Sequence, residues 1–384
     1  MYLRFLKTNK IINHNIAYGD EIKFFHIGMI PHHFPFVLLW ITHTLRMWYC
    51  SYMDNIQTIA RDIVAVGKGL LAADESEKTA NKRLTSNGIV PSEEMRKQYR
   101  EVFFLTRDIE KYLSGVIFFE ETLGQSTSDG VPFPKLLSEK GIIPGIKVDQ
   151  GTKPFDDSPD ELVTGGLIGL SERLVPFYER GARFTKWRAV IRIDGDTLPT
   201  SHAILENAKR LASYAHDAQV AGLVPILEPE VLLEGNHSML RAKEVLTETL
   251  STVFTAVDDS PVDRTALIVK TSMALSGSES GKTDTPEEVA EQTLDALMAS
   301  VPPNVPGIVF LSGGQSPDQA TDNLRAIARL AKEKNAPWPL TFSYARAIQS
   351  EALATWQGKK ENIPEAQKVF ISRLQRVSEA SMGN

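Results

Sequence analysis

Charged side chains lie at or near the ends of five short apolar segments of this chain. If each segment is a strand, residues two positions apart lie on the same face. Single charges at strand ends are common. A buried charge without a partner is costly, however, so this many charges in one pattern indicate a shared active site. The charges are Asp74 in the first segment, Lys147 and Asp149 in the second, Lys186 and Arg188 in the third, Glu228 and Glu230 in the fourth, and Lys270 in the fifth.

Lys270 is the residue best placed to act as a nucleophile, because it follows the uncharged segment Ala266–Val269. An apolar wall and a second cation such as Lys186 would both favour its neutral amine. A neutral amine can attack a ketone and form a Schiff base, which accepts electrons when the neighbouring carbon–carbon bond breaks. Glu228 is then the candidate for proton transfer during imine formation, and Asp74 is the candidate base for the departing fragment. The alternative is a lysine that extends outward into solvent.

Two later segments are followed by sequences suited to binding an anion. Phe310-Leu-Ser-Gly-Gly-Gln-Ser316 contains a Gly-Gly turn, and Phe342-Ser-Tyr-Ala-Arg346 ends in an arginine. Glycines let backbone N–H groups approach an anion, and a guanidinium presents a fork of donors to phosphate. A Gly-Gly turn alone is common in loops, so the neighbouring arginine strengthens the prediction. The predicted phosphate-binding residues here are Ser312, Gly313, Gly314, Ser343 and Arg346.

The histidines of the main part of the chain argue against a catalytic metal. Beyond residue 52 the only histidines are His202, His216 and His237, all in predicted helices or loops rather than at strand ends. A zinc enzyme built on such a site would need histidine ligands among the clustered charges. We therefore expect metal-independent covalent chemistry with no cofactor.

Eight apolar segments alternate with longer segments of helical periodicity. This alternation predicts βαβ units and a parallel sheet, and eight units fit a single-domain (β/α)8 barrel, the TIM barrel. Active sites of such barrels lie at the carboxyl ends of the strands, where the charges fall. An open doubly wound sheet is the alternative, but no G-x-G-x-x-G motif follows the first strand. The predicted strands are Leu70–Asp74, Val116–Glu120, Ile143–Asp149, Phe184–Ile193, Val224–Glu230, Leu267–Met273, Ile308–Ser312 and Leu340–Tyr344, and the predicted helices cover 92–111, 159–180, 201–221, 237–257, 286–299, 317–334 and 345–358.

The composition excludes several classes of protein. The chain has 384 residues, with 42 Lys+Arg against 48 Asp+Glu, a formal net charge of −6 and one Cys. The mild acidity argues against nucleic-acid binding, and a single Cys excludes a disulfide framework. No apolar run is long enough for a membrane-spanning helix. We therefore expect a cytoplasmic globular protein with neither a nucleic acid nor a membrane as its partner.

Residues 1–52 differ from the remainder in composition. They hold 11 of the 31 aromatic residues and five of the eight His, and they carry a net charge of +3. They match neither an ordinary signal peptide nor a transit peptide, and their histidines lack the spacing of a metal site. A helical pattern starts after Met53 and runs from Ile56 to Val66. We therefore expect the (β/α)8 domain over 53–384, and an atypical extension over 1–52 that is disordered or an incorrectly assigned start. An uncommon targeting segment is the alternative.

Six motifs of the chain together resemble the class I fructose-1,6-bisphosphate aldolases. They follow the order typical of that family from about Ile59 to Gln367. The resemblance implies a TIM barrel that reversibly cleaves fructose 1,6-bisphosphate to dihydroxyacetone phosphate and glyceraldehyde 3-phosphate, in glycolysis and gluconeogenesis. It also implies a lysine Schiff base, no metal and a homotetramer. The motifs are Leu71-Ala-Ala-Asp-Glu-Ser76, Gly145-Ile-Lys-Val-Asp149, Lys186-Trp-Arg188, Glu228-Pro-Glu230, Leu311-Ser-Gly-Gly-Gln-Ser316 and Phe342-Ser-Tyr344.

The resemblance also implies a role for each matching residue. Lys270 matches the Schiff-base lysine, and Glu228 matches the acid/base of carbinolamine dehydration. Asp74 matches the group that takes the C4 hydroxyl proton, and Lys186 matches the cation that helps to position it. Residues similar to the family's C1-phosphate pocket are Ser312, Gly313 and Arg346, and those similar to its C6-phosphate end are Ser76, Thr79 and Lys147, with Arg83 and Arg188 nearby.

Three features depart from the family pattern. Glu77 and Lys78 stand where the animal enzymes carry small residues, which weakens the transfer of the C6-phosphate contacts. Ala345 stands where many members have Gly, a change that can alter a backbone contact to the C1 phosphate. The last tyrosine is Tyr344, so the role of the terminal tyrosine of the animal enzymes is not transferred. We expect slower proton transfer, or another group in its place.

Two other functions remain open at this point. A transaldolase-like enzyme or another sugar-phosphate lyase would use the same Schiff-base chemistry. A scaffold protein would instead bind partners through the barrel surface. The presence of Lys270, Glu228, Asp74 and Lys186 together favours an enzyme over a scaffold.

Overall fold

Eight parallel strands close into a barrel in the computed structural model, which describes residues 55–384. The strands of the described part are β1 (Gly69–Ala73), β2 (Leu113–Phe118), β3 (Ile143–Lys147), β4 (Thr152–Phe155), β5 (Ser158–Thr164), β6 (Phe184–Ile191), β7 (Val224–Val231), β8 (Ile268–Thr271), β9 (Ile308–Phe310) and β10 (Leu340–Tyr344). The barrel order is β1-β2-β3-β6-β7-β8-β9-β10, and β10 pairs with β1 to close it. Strands β4 and β5 form a separate antiparallel pair. The predicted (β/α)8 barrel is confirmed, and the open sheet is excluded.

Helices surround the barrel and connect successive strands. They are α1 (55–63), α2 (Glu77–Ser86), α3 (Glu93–Phe104), α4 (Glu120–Leu123), α5 (Phe133–Glu139), α6 (Leu170–Glu179), α7 (Ser201–Val220), α8 (Met239–Asp258), α9 (Pro286–Ser300), α10 (Pro317–Glu333), α11 (Arg346–Trp356) and α12 (Ile363–Ser381). Several begin at a hydroxyl N-cap, which satisfies a free N–H group of the first turn. The Thr285 hydroxyl, for example, accepts from the N–H of Glu288, and the Glu288 carboxylate accepts in return from the N–H of Thr285.

The inward side chains change from apolar to charged along the strands. On β6, Phe184 belongs to the apolar cluster inside the barrel, and Lys186 and Arg188 follow it on the same face. Trp187 points the other way and stacks on Tyr214 of α7, with ring centroids 5.4 Å apart. This is the two-residue alternation expected of a strand between two packed layers. The alternation therefore places the charges of several strands at one mouth of the barrel.

Helix α1 packs against the interior apolar cluster. Ile56, Ala60 and Ile63 are fully buried and belong to the same cluster as Phe184 and Ile268. The larger apolar cluster lies between the strands and the outer helices, as the two-layer packing of an α/β protein requires. The predicted helical pattern after Met53 is thus confirmed within the described residues, except at Val66. That residue lies beyond α1 and is 83% exposed.

The predicted helix over 159–180 is wrong in its first part. Residues Ser158–Thr164 form β5, which pairs antiparallel with β4, and only Leu170–Glu179 is helical. The acidic turn between these strands was not recognised as a hairpin turn, although Asp is a common turn residue. Burial of Glu161 against α7 also stabilises the hairpin, because its carboxylate accepts from the N–H of Thr200 at 2.8 Å.

Other helix bounds differ from the predicted ones. The predicted helix over 92–111 ends at Phe104 and is followed by a short 3-10 turn at Ile109–Lys111, because Asp108 takes a left-handed conformation. Helices α2, α4, α5 and α12 were not predicted. Within residues 55–384, no helix is long and apolar enough to cross a membrane. The predicted extension over 1–52 and its histidines lie outside the described residues.

We expect Gly145→Ala to destabilise the barrel by about 1–3 kcal/mol, the usual cost of overpacking a core. A Cβ atom at Gly145 would lie 2.2 Å from ring carbons of Phe184, which pairs with it across β3 and β6. Gly124→Ala is the matched control, because its Cβ would lie 3.5 Å from the nearest atom and its φ is −85°. Urea unfolding of the three proteins tests this, and equal stability of both variants would contradict it.

Candidate active site

A cavity of about 990 Å³ opens at the carboxyl ends of the barrel strands. The sequence-predicted site residues that line it are Asp74, Ser76, Thr79, Arg83, Lys147, Asp149, Lys186, Arg188, Glu228, Glu230, Lys270, Ser312, Gly313, Ser343 and Arg346. Gly314 is not part of the lining; a Cβ atom there would lie 3.6 Å from Leu233 and 3.9 Å from Arg346. The fold thus gathers the predicted site residues, apart from Gly314, into one cavity.

Two lysines and two carboxylates form a continuous series of ion pairs in this cavity. Lys270 Nζ lies 2.9 Å from Glu228 Oε1, and Lys186 Nζ lies 2.9 Å from Glu228 Oε2. Lys186 Nζ also lies 2.7 Å from Asp74 Oδ2. Lys270 is 4% exposed and Glu228 is 3% exposed, so little water screens these pairs. Protons can therefore move between an amine and two carboxylates without crossing bulk solvent.

The ion pairs keep these groups charged despite their burial. Burial alone would raise the pKa of Asp74, but Lys186 and Lys270 outweigh it and hold that pKa well below its usual range. The pKa of Glu228 is lowered in the same way by both lysines. Burial would lower the pKa of Lys186, but Asp74 and Glu228 outweigh it and raise that pKa well above the ordinary value. Lys186 is therefore a permanent cation between two carboxylates.

The surroundings of Lys270 differ from the predicted apolar wall. Its strand neighbours Ile268 and Val269 are fully buried and apolar, as expected. Its Nζ nevertheless contacts the carboxylate of Glu228. The sequence could not show this contact, because the two residues lie on different strands. Deprotonation of the amine then has a direct route, from Nζ to Glu228.

Two further lysine or arginine side chains of the mouth have their own carboxylates. Lys147 Nζ lies 2.5 Å from Asp149 Oδ1 and donates to the Asp149 carbonyl oxygen at 3.0 Å. Arg188 Nε donates to Glu230, and the Arg188 N–H donates to Asp149 Oδ2 at 3.3 Å. Burial would lower the pKa of Arg188, but Glu230 outweighs it and raises that pKa. Asp149 and Glu230 are thus the supporting charges that the sequence predicted, and each orients a cation.

Strand β10 and the segments that follow β9 and β10 place several donors in the same cavity as the lysines. Ser312 and Gly313 line the cavity, and Ser343 is 1% exposed with a hydroxyl that has no hydrogen-bond partner among residues 55–384. Arg346 begins α11 and makes no ion pair with any described residue. Ala345 has a φ of −108°, so its backbone is outside the left-handed region that favours glycine. This end of the cavity can receive an anion.

The start of α2 forms another part of the wall. Ser76 is the N-cap of α2, its hydroxyl accepts from the N–H of Thr79, and the two hydroxyls lie 3.2 Å apart. A helix N-terminus with such hydroxyls favours an anion. Glu77 and Lys78 are exposed and do not line the cavity. The unusual residues after Ser76 therefore leave the wall itself intact.

The sequence analysis missed a polar group at the cavity wall, formed by Glu75 in the lining and by Arg100 and Gln349 outside it. Glu75 lies beside Asp74 and contacts both Arg83 and Arg100, and Gln349 accepts from Arg83 at 3.0 Å. Glu75 stands inside a recognised motif, but it is one residue away from the predicted catalytic face. Arg100 and Gln349 are distant from Glu75 in the sequence, and no local pattern connects them.

We expect Asp74→Asn to lower the free energy of unfolding at neutral pH by about 2 kcal/mol, the cost of breaking a buried ion pair that keeps a second partner. The pKa of Asp74 in the folded chain lies below the unfolded value near 3.8. Its stabilisation is therefore complete above that unfolded value and is lost as the pH falls through the folded pKa. Urea unfolding at neutral, mildly acidic and strongly acidic pH tests this.

The exposed Asp129→Asn variant is the control for this experiment, since Asp129 lies in a surface loop. It should show no such dependence on pH. A difference between Asp74→Asn and the unchanged protein that disappears already in mildly acidic solution would contradict the prediction.

The fold and this cavity define a barrel enzyme equipped for amine and acid–base chemistry on an anionic substrate. In residues 55–384, no group of three or more His, Cys, Asp or Glu side chains is placed to hold a metal ion.

Comparisons with known proteins give the family. The profile of the family described as "Fructose-bisphosphate aldolase class-I" matches residues 55–384. The chain is 46% identical over 333 residues to the cytoplasmic isozyme of fructose-bisphosphate aldolase from Spinacia oleracea, covering 87% of this chain and 92% of that protein. It is 45% identical over 331 residues to fructose-bisphosphate aldolase from Schistosoma mansoni, covering 86% of this chain and 90% of that protein.

A solved structure agrees with this result. Fructose-bisphosphate aldolase from Plasmodium falciparum, in a ternary complex with TRAP and a small-molecule inhibitor, matches with a TM-score of 0.85 and 43% identity. The match covers 87% of this chain and 95% of that chain. The chain belongs to the class I fructose-bisphosphate aldolase family. The predicted family, fold and enzyme class, an aldehyde-lyase of glycolysis, are confirmed.

Proposed function

We propose that this chain reversibly cleaves fructose 1,6-bisphosphate to dihydroxyacetone phosphate and glyceraldehyde 3-phosphate through a Schiff base on Lys270. The contact that carries the proposal is the 2.9 Å ion pair between Lys270 Nζ and Glu228 Oε1. Glu228 is joined through Lys186 to Asp74, so the nucleophile, the acid/base and the second base lie in one cluster. This is the set of groups that imine formation followed by carbon–carbon cleavage requires.

The first half of the reaction attaches the substrate. Glu228 takes a proton from Lys270, and the neutral amine adds to the C2 carbonyl of the ketose. A proton then passes from the nitrogen to the oxygen of the adduct and gives the carbinolamine. Glu228 then returns a proton to the C2 hydroxyl of the carbinolamine, which leaves as water and gives the iminium ion. The low pKa of Glu228 means that the carboxylate starts ionised and ready to accept the first proton.

The second half breaks the carbon–carbon bond. Asp74 takes the proton of the C4 hydroxyl, the bond between C3 and C4 breaks, and its electrons move into the iminium to form an enamine. Glyceraldehyde 3-phosphate leaves as the aldehyde. A proton is returned to C3 of the enamine, which balances the proton that Asp74 took from the C4 hydroxyl. Hydrolysis of the imine then releases dihydroxyacetone phosphate and restores Lys270. Because the pKa of Asp74 is low, the electron-withdrawing iminium must supply most of the driving force.

The two phosphates fit opposite ends of the cavity in this proposal. Ser312, Gly313 and Arg346 receive the C1 phosphate beside Lys270, with Ser343 as an additional donor. The C6 phosphate is received by Ser76, Thr79 and Lys147, with Arg83 and Arg188 nearby. Guanidinium and ammonium groups at both ends suit a substrate that carries a dianion at each end.

The proposal is tested by borohydride trapping on the full chain. Incubation with dihydroxyacetone phosphate followed by borohydride should leave a covalent adduct on Lys270, located by peptide mass spectrometry. Cleavage should be unchanged by EDTA, since the proposed mechanism needs no metal. An adduct on another lysine, or loss of cleavage with EDTA, would contradict it. Rates with fructose 1-phosphate and sedoheptulose 1,7-bisphosphate would reveal a different sugar-phosphate lyase.

The assembly, the location and the domain boundary are separate proposals. We expect a homotetramer in sedimentation equilibrium and a cytoplasmic location in cell fractionation, with no nucleic-acid or membrane partner. The predicted start of the domain near Met53 and the extension over 1–52 lie outside the described residues. N-terminal sequencing of the native protein tests them, because a native start at Met1 would contradict an incorrectly assigned start.

A further inference from the structure

Glu75 lines the cavity and lies between two guanidinium groups. Arg83 Nη1 contacts Glu75 Oε1, and Arg100 Nη2 lies 2.8 Å from Glu75 Oε2. The Glu75 and Arg100 side chains are 5% and 3% exposed, so solvent screens their charges only weakly. One carboxylate therefore serves two cations, and the group of three carries one positive charge in excess.

We propose that Arg100 is a positioning residue, which holds Glu75 so that Arg83 can leave it and bind a phosphate of the substrate. This inference rests on the proposed function, in which Arg83 lies near the C6 phosphate. Nothing in the reaction itself requires Arg100, since it does not line the cavity.

Arg83 is the member of the group that a solute can reach. It lines the cavity, and its side chain is 19% exposed against 3% for Arg100. Burial lowers the pKa of Arg83, and the nearby Arg346 acts in the same direction. Arg83 and Arg346 both line the cavity, and Arg346 makes no ion pair with a carboxylate among residues 55–384. A phosphate dianion bound by Arg83 would offset this repulsion.

Arg100 has an unused hydrogen-bond donor with which it can hold Glu75. Its Nη1 is buried without a hydrogen-bond acceptor among the described residues, and Glu75 Oε2 likewise accepts no hydrogen bond of good geometry. When Arg83 turns toward a phosphate, Glu75 can shift toward this free donor and remain paired. Without Arg100, the same movement would leave a buried carboxylate unpaired, which is strongly unfavourable. Arg83 would then stay bound to Glu75.

Contacts with neighbouring side chains fix the positions of Arg100 and Arg83. The guanidinium of Arg100 lies over the ring of Tyr99, 4.8 Å from its centroid. Gln349 Oε1 accepts from both the Tyr99 hydroxyl at 2.8 Å and Arg83 at 3.0 Å. The Gln349 amide donates to the carbonyl oxygen of Ala72 at 2.8 Å, which ties the group to β1 beside Asp74. The arrangement connects α2, α3 and α11 to the catalytic strand.

Calorimetric titration of the full chain with inorganic phosphate tests the proposal without using catalysis. Arg100→Met should weaken phosphate binding about tenfold, within the usual range for coupling between two sites, because Arg83 then stays paired with Glu75. It should raise KM for the bisphosphate more than it lowers kcat. Arg100→Lys should restore much of the binding. Arg107→Met, an exposed arginine just beyond α3, is the matched control and should bind phosphate normally.

The double variant separates a charge effect from a structural one. Glu75→Gln/Arg100→Met should recover the phosphate binding lost in Arg100→Met, because Arg83 then has no carboxylate to hold it. Equal losses in the single and double variants would overturn the proposal, and so would unchanged binding in a folded Arg100→Met protein. If Arg100→Met fails to fold, Glu75→Gln alone decides: it should bind phosphate several-fold more tightly, and unchanged or weaker binding would overturn the proposal.

The outcome is also distinguishable from failure of the proposed function. A borohydride adduct on Lys270 with unaltered phosphate binding in the Arg100 and Glu75 variants would reject only the role of Arg100. Phosphate binding that follows the predicted pattern, without an adduct on Lys270, would reject the Schiff-base assignment instead.

Discussion

Lys270→Met is expected to reduce cleavage of fructose 1,6-bisphosphate by about 10⁴-fold or more, the usual consequence of removing a covalent nucleophile. The variant has no amine at the position where Nζ contacts Glu228, and no imine can form there. Methionine has a similar length and suits the apolar neighbours Ile268 and Val269, so the fold should persist. Glu228 also keeps its second partner, Lys186. Steady-state cleavage and thermal unfolding of the variant measure both expectations.

The matched control for Lys270→Met is Lys209→Met, on the exposed face of α7. It removes the same functional group at a distance from the cavity and should retain full activity. Retention of substantial cleavage by Lys270→Met, with an adduct on a different lysine, would mean that the nucleophile has been assigned to the wrong residue. Inactivity accompanied by unfolding would instead mean that the methionine had disrupted the barrel.

Glu228→Gln is expected to lower kcat by about 10²–10⁴-fold, the range typical of general acid–base catalysis. The amide cannot take the proton from Lys270 or return one to the carbinolamine. The variant should still bind substrate, since the phosphate-binding residues are unchanged, so KM should change little. Rapid-quench borohydride trapping should show slow formation of the Lys270 adduct, which places the defect at imine formation rather than at bond cleavage.

Glu234→Gln is the control for Glu228→Gln, because Glu234 is exposed in the loop that follows the same strand. If adduct formation in Glu228→Gln is normal and only cleavage is impaired, Glu228 acts in carbon–carbon bond cleavage and not in imine formation. An unaltered kcat would mean that Glu228 has no acid–base role in the reaction.

Much of the barrel could be predicted, because strand and helix periodicity are local properties. All eight barrel strands were found at their observed places, since each is a short apolar run between polar loops. The hairpin of β4 and β5 was not found. The sequence of β5 is also compatible with a helix. The tertiary structure favours the strand, because Thr164 pairs antiparallel with Thr152 and β5 packs against α7.

The positions of the site residues could be predicted as well as the strands that carry them. Alternation along a strand shows that Lys186 and Arg188 share a face, and the barrel topology brings such faces to one mouth. The contacts between strands are a different matter. Glu228 forms ion pairs with both Lys186 and Lys270, and Lys186 also pairs with Asp74. The relative register of the strands brings those atoms together.

The amino-acid sequence by itself determined which residues carry chemistry, the family to which they belong, and the barrel end at which they lie. Only the tertiary structure decided which carboxylate neutralises which cation. Glu75 and Arg100 pair across distant parts of the chain, and Gln349 joins the group through Arg83. Burial there makes each missing partner costly. Pairing of this kind depends on distances between elements, and a local pattern in the sequence contains no information about those distances.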